Sequence, residues 1–514
     1  MHRIQLVHAK RKEPAHWGYS WRFVCFRQLQ IINMANEVFE TVIGLEVHAQ
    51  LLTKTKLFSA DKTEFGAEPN TQISPVTLGY PGTLPVLNEK AVRMAIKMGM
   101  ACHSEIENWN YFARKNYFYP DLPKGYQISQ HTMPICKGGY IQIADDRIEK
   151  KIKLNRIHLE EDAGKSIHDK DDAFTSLDFN RAGVPLIEIV TEPCLSNADE
   201  AVAFLSNLRR IVRYLEICDG NMEEGSLRCD ANVSIRKKGD TALGTKVEVK
   251  NLNSIRNVKR AIEFEVSRMK KMCEKEEPII QQTRSFDATN GITFSLRSKE
   301  EANDYRYFPD PDLPPFEVNT EFLESIQVTI PELPEQLIKK YMTNYNLSRY
   351  DAEVITDERE MATYFEALIL AVPSYKSAAN WLLGPVKSYI NEHGISISDF
   401  PVKPLVMASL IKLVEGGTVH FSTASSKIFP ELAAGNSNDP LQLAISMNLI
   451  QTDDEAQILK WVQQAMDKMP EKVTEYKKGK KGLLGLFVGE VKKISNGKAD
   501  PQLASQLLTQ KLEK

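Results

Sequence analysis

Four stretches of the chain share one two-faced pattern. In VIGLEVHAQL at 42–51, Leu45, Val47, Ala49 and Leu51 fall on one side of an extended segment. Glu46, His48 and Gln50 fall on the other, because side chains alternate with period two. LRCDANVSI at 227–235 sets Leu227, Cys229, Ala231, Val233 and Ile235 against Arg228, Asp230, Asn232 and Ser234. TKVEVK at 245–250 sets Val247 and Val249 against Lys246, Glu248 and Lys250. RIHLEED at 156–162 sets Ile157 and Leu159 against Arg156, His158, Glu160 and Asp162. Strands of this kind predict a sheet with one apolar face and one face of acids, imidazoles and bases.

Turn signals punctuate the chain up to about residue 326: YPG at 80–82, YPDLPKG at 119–125, CKGG at 136–139 and FPDPDLPP at 308–315. Two helices interrupt the strands. One is predicted from Ala198 to Ile217, with Ser196 as cap and Asp199 as first-turn acid. The other follows Ser254, with Ile255, Val258, Ile262 and Met269 on one stripe. Strands around occasional helices give an α+β domain with an antiparallel sheet over 34–326. Beyond it the periodicity is helical, predicting a helical domain at 327–438 and a helical tail domain at 439–514. That all-α half carries a local basic run, YKKGKKGLLG at 476–485.

The 514 residues, 42% hydrophobic and 26% charged, have an ordinary globular balance, and a formal net charge of −3 carries no global sign of nucleic-acid binding. No apolar run is long enough to span a bilayer. Seven scattered cysteines, without a C-x-x-C pair, argue against a disulfide framework or a thiolate zinc site and fit a reducing, cytoplasmic setting. Residues 1–33 stand apart, with Glu13 as their single acid and three of the ten histidines. They are read as a disordered leader or a mis-assigned start, with translation beginning at Met34.

The polar faces leave two readings open. One is a solvated sheet face. The other is a metal–nucleotide site, since hard cations take several carboxylate oxygens and interleaved Arg and Lys neutralise phosphate. MEEGSLR at 222–228 adds two acids and a Gly turn. Standard phosphate loops are missing. AGKS at 163–166 fails as a Walker motif because the opening Gly would fall at Leu159.

The stretches FETVIGLEVHAQL at 39–51, RKNYFYPDLPKGYQISQ at 114–130, HLEEDAGKS at 158–166, NRAGVPLIEIVTE at 180–192, MEEGSLRCDAN at 222–232, VKNLNS at 249–254 and DYRYFPDPD at 304–312 resemble the B subunit of the glutamyl-/aspartyl-tRNA amidotransferases. The likeness extends through FPELAAG at 429–435 and NGKADPQL at 496–503, covering nearly everything after Met34. It implies a fold like the glutamine synthetase and guanidino-kinase group. It also implies phosphorylation by ATP and Mg²⁺ of the side-chain carboxylate of glutamyl-tRNA(Gln) or aspartyl-tRNA(Asn), then amidation by ammonia. By similarity Glu46, His48, Glu160, Glu161, Asp230 and Glu248 are the metal-ligand candidates, and all of these except Glu161 are also taken as catalytic. His48 suits a transition metal or zinc better than Mg²⁺, which leaves room for a second divalent ion near it. Arg228 and Lys250 are chosen from the strand faces as phosphate contacts, followed by Lys115 and Lys124. Lys477, Lys478, Lys480 and Lys481 match the family's tRNA-contacting tail. No glutaminase signature is present, and the family supplies ammonia from a separate amidase (glutaminase) subunit, held with a third, small subunit in a heterotrimer, through an internal channel. Tyr80 to Pro85 could border such an interface or form a simple surface loop.

Two other readings compete. A ligase acting on a small free carboxylate gives the helical half and basic tail no task. A non-catalytic tRNA scaffold would not need every carboxylate of the site motifs, and all are present.

Overall fold

The computed structural model describes residues 39–144, 149–167, 174–298, 305–451, 454–495 and 497–513; the expected leader at 1–33 and the start at Met34 lie outside them. The chain divides into two units, one ending at Pro331 and one spanning Glu332–Lys514.

The first unit is built on a sheet of thirteen strands among the described residues. Ten of them are β1 Phe39–Gln50, β2 Ala113–Asn116, β3 Tyr126–Ser129, β4 Glu149–Glu161, β5 Pro185–Thr191, β6 Leu227–Lys237, β7 Val247–Leu252, β8 Gln282–Asp287, β9 Ile292–Ser298 and β10 Arg306–Pro309. Their order across the sheet is β9-β8-β7-β6-β1-β5-β4-β3-β2-β10. Short strands at Glu105–Ile106, Cys136–Lys137 and Tyr140–Ala144 extend the sheet beside β4. β1 is central, and burial along it alternates strictly from Leu45 to Gln50.

The helices α1 Glu89–Ala101, α2 Ala198–Tyr214 and α3 Ile255–Glu274 accompany the sheet. α3 packs on β6 and α1 on β4. Leu45, Val47 and Ala49 on β1, like Phe204 and Leu208 on α2 and Val258 on α3, are fully buried. Ser254 caps α3, its side chain accepting from Asn257 N. In α2 the cap is Asn197 instead of Ser196, because the Asn197 side chain reaches Glu200 N while Ser196 N donates to Glu200 Oε2. The sheet also departs from a purely antiparallel one: β7 and β8 pair in parallel. The twenty-residue α3 lies between them, and a helical crossover is what permits parallel pairing.

The second unit is built of helices. Its last four, α4 Glu455–Lys468, α5 Pro470–Lys477, α6 Leu484–Ile494 and α7 Pro501–Glu513, enclose a core including Ile458, Val462, Phe487, Val491 and Leu508. No helix among the described residues is long and apolar enough to cross a membrane.

Candidate active site

Burial bears on the two readings of the polar strand faces. A solvated sheet face would leave its carboxylates in water. Here His158 is 3% exposed, Glu160 4% and Glu188 9%. Burying charge is expensive unless each group finds a partner, and register supplies the partners. His48 on β1 lies opposite Glu188 on β5, which lies opposite His158 on β4. Arg228 on β6 flanks His48 on the other side.

His48 Nε2 stands 3.7 Å from Glu188 Oε2 and 3.9 Å from Glu160 Oε1. His158 Nε2 stands 3.3 Å from Glu188 and 3.5 Å from Glu160. Ser129 on β3 donates to Glu160 Oε2 at 3.1 Å. Burial by itself would lower the pKa of His158, but the charge of Glu188 and the hydrogen bonds of both carboxylates outweigh it and hold it up at about 9. Burial likewise pushes both carboxyls up, and their imidazole neighbours, His158 foremost, pull them below the ordinary range. His48, Glu160 and Glu188 each offer a ligand atom, all within 4.8 Å of one another. Two carboxylate oxygens suit a hard divalent cation, and an imidazole nitrogen shifts the preference toward a softer one.

A second group lies on the β7 side of His48. Asn232 donates to Glu46 Oε1 at 2.8 Å, Lys250 binds Asp230 at 2.7 Å and Glu248 at 2.8 Å, and Thr283 donates to Glu248 at 2.9 Å. Burial would lower the pKa of Lys250, but Asp230 and Glu248 raise it. Asn232 Oδ1 is buried without a partner among the described residues, an acceptor beside Glu46 with nothing to accept. Arg228 holds Asp162 at 2.9 Å, and Gln50 donates to the same carboxylate at 2.7 Å.

The structure therefore separates the six ligand candidates. His48 and Glu160 meet, joined by Glu188, while Asp230 and Glu248 share Lys250 and Glu46 pairs with Asn232. Glu161 is a correction. As the neighbour of Glu160 on a strand it points to the other face, where it pairs with Lys124 at 2.6 Å and accepts from Ile128 N. Lys124 is thereby removed from the phosphate side as well. These two residues border a cavity of about 240 Å³ that Lys56, Tyr80, Gly82 and Pro85 also line. Lys56 is almost fully buried there, and burial drops its pKa to about 8 against the pull of Asp61 and Glu161.

Lys115 does face the site. Burial would lower its pKa, but Glu160 leads the groups that hold it up. Glu223 and Glu224 sit exposed on their turn and do not join the ligand cluster. A larger cavity of about 950 Å³ opens between the start of β1, the 193–199 turn and α3, away from this chemistry. Lys477, Lys478, Lys480 and Lys481 are all exposed, with Lys480 against Glu475 and Lys481 against Glu513.

Sequence reasoning missed Glu188. Its signal was a lone acid inside the otherwise apolar strand PLIEIVT.

Residues 41–324 match the GatB/GatE catalytic domain, and residues 363–512 match the GatB domain. The B subunit of the aspartyl/glutamyl-tRNA(Asn/Gln) amidotransferase of Thermodesulfovibrio yellowstonii is 47% identical over 471 residues, covering 91% of this chain and 98% of that protein. Its counterpart in Halorhodospira halophila is 48% identical over 477 residues, 92% of this chain and 99% of that protein. The first unit is thus a catalytic domain of the GatB/GatE class. The chain belongs to the family of aspartyl/glutamyl-tRNA(Asn/Gln) amidotransferase B subunits.

Proposed function

We propose that the polar face of the sheet activates the side-chain carboxylate of glutamyl-tRNA(Gln) or aspartyl-tRNA(Asn) with ATP and completes its amidation within a heterotrimer. The observation that carries this reading is the His48–Glu160–Glu188 group, with both carboxylates buried and His48 half-buried, in a chain of this family. A carboxylate resists attack by ammonia because oxide would have to leave. Transfer of the γ-phosphoryl group of ATP to a carboxylate oxygen gives an acyl phosphate and releases ADP. Ammonia then attacks the acyl carbon, and inorganic phosphate leaves.

His48, Glu160 and Glu188 fit a divalent ion, and Glu46 with the free Asn232 carbonyl beside it offers oxygens to Mg²⁺ carried by the nucleotide. Bound divalent ions would offset the charge on the phosphate oxygens. Lys250 and Arg228 contribute positive charge on the same side, and Lys115 contributes it from the opposite side. His158 fixes Glu160 and Glu188 in place from below. The sheet with its helical layer agrees with a fold like the glutamine synthetase and guanidino-kinase group.

Ammonia would come from the amidase subunit, held with the small third subunit. The cavity beside Tyr80–Pro85, with Lys124 and Glu161, is a suitable entry because Glu161 adjoins Glu160 in the same strand. Residues 439–514 form a tail domain whose lysines grip tRNA phosphates. A cytoplasmic location agrees with the free thiols of all six described cysteines.

The test uses the full chain assembled with its amidase and small subunits, supplied with glutamyl-tRNA, ATP, Mg²⁺ and glutamine. Glutaminyl-tRNA should form, and Glu46→Gln and Asp230→Asn should stop its formation while the partner still hydrolyses glutamine. Product formation at the wild-type rate in both variants would sink the assignment.

A further inference from the structure

One edge of the site face is aromatic, and the reaction proposed above does not use it. Tyr307 on β10 lies opposite Lys115 on β2. Ser129 on β3, which pairs with Ala113 on β2, donates to Glu160, so Lys115 and Tyr307 share the face of the ligand cluster. Tyr117 and Tyr305, each two residues further along, belong to the same edge. The Tyr117 and Tyr305 rings meet edge to face with centroids 5.2 Å apart. Lys115 Nζ lies 4.8 Å from the Tyr305 centroid and 5.7 Å from that of Tyr117. His131 stacks on Tyr307 at 3.9 Å. Tyr305 nevertheless remains 40% exposed. A core aromatic would be covered, and a surface tyrosine would not be held by a ring and an ammonium.

Unpaired nucleotide bases are held by aromatic side chains of this kind. We propose that Tyr305, braced by Tyr117 and flanked by the Tyr307–His131 stack, is the platform for the 3′-terminal adenine of the aminoacyl-tRNA. Stacked there, the nucleotide would direct its amino-acid side chain toward His48, Glu160 and Glu188. The inference rests on the carboxylate-activation reading given above.

Two features select this occupant over the adenine of ATP. In phosphoryl transfer the donor and acceptor approach roughly in line from opposite sides. The cations suited to a polyphosphate, Arg228 on β6 and Lys250 on β7, lie on the β7 side of His48, whereas the aromatic edge lies beyond β4 on the other. Reach also agrees. β10 is three strands from β4, about 14 Å, comparable with the roughly 12 Å from carboxylate to base in an extended glutamyl-adenosine at standard bond lengths.

The test measures initial rates of the assembled full-chain complex, wild type against Tyr305→Leu and Tyr305→Phe. Glutamyl-tRNA is varied at saturating ATP, and ATP at saturating glutamyl-tRNA. Tyr305→Leu should raise KM for glutamyl-tRNA roughly tenfold, with KM for ATP unchanged, and Tyr305→Phe should restore the wild-type value. The unchanged KM for ATP reports an intact fold in the leucine variant. A rise in KM for ATP alone would assign the platform to the nucleotide and overturn the proposal. Equal KM values for both substrates in all three proteins would overturn it too, leaving the cluster a packing feature. If the wild-type complex itself showed no tRNA-dependent ATP turnover, the activation reading would fall, and this inference with it.

Discussion

Glu160 and Glu161 are adjacent in the chain and have separate partners. Glu160 faces His48 and His158, and Glu161 faces Lys124 across the sheet. The one-residue offset turns two chemically identical side chains into members of two sites. The expected contrast follows from it. Glu160→Gln should cut tRNA-dependent ATP turnover at least a hundredfold, because several kcal/mol of charge stabilisation depends on its charge. Glu161→Gln, assayed with glutamine withheld, should leave that turnover within a few-fold of wild type. Equal losses in the two variants would contradict the separation of faces. This separation was readable from period two alone, yet both residues looked like ligands because a motif match is blind to direction. Glu188 shows the reverse failure. An acid within an apolar run is legible as an anomaly, but its partners on β1 and β4 come from strand order, which no single stretch encodes.

At the scale of elements, the alternating strands and the apolar stripe of α3 followed from local pattern, because a half-buried strand and an amphipathic helix are determined by their own residues. The parallel β7–β8 pair did not, because it depends on where the chain returns after α3. What fixes that return is visible in the packing. Glu265 on α3 is fully buried, pairs with Arg268 at 2.7 Å and Arg284 on β8 at 3.1 Å, and hydrogen-bonds Thr293 on β9. Removing one member of a buried charge set costs roughly 3–5 kcal/mol, since the others are left uncompensated. Glu265→Ala should therefore lower the unfolding free energy by about 3 kcal/mol. Amide hydrogen exchange should show β8 and β9 losing protection before β1 does. Unaltered stability in denaturant titration would mean that the parallel edge is held by apolar contacts alone.

At the scale of the whole molecule, the family covers both units. The sheet unit carries the carboxylates, and the last four helices have a core of their own with an exposed lysine run between α5 and α6. Phosphate contacts by lysine release counterions, so each lost contact weakens binding and flattens its salt dependence. Changing Lys477, Lys478, Lys480 and Lys481 together to Ala should raise KM for glutamyl-tRNA, reduce the slope of log affinity against log salt, and leave KM for ATP unchanged. An unaltered salt slope would mean that these lysines do not touch the nucleic acid.

The measurement that tests the account most directly is ATP turnover by the assembled complex with glutamyl-tRNA present and glutamine withheld, wild type against Glu188→Gln. The charge of this carboxylate faces both His48 and His158. The account predicts tRNA-stimulated turnover in the wild type and a loss of at least a hundredfold in the variant. Undiminished turnover in Glu188→Gln would contradict it and would place carboxylate activation away from this face of the sheet.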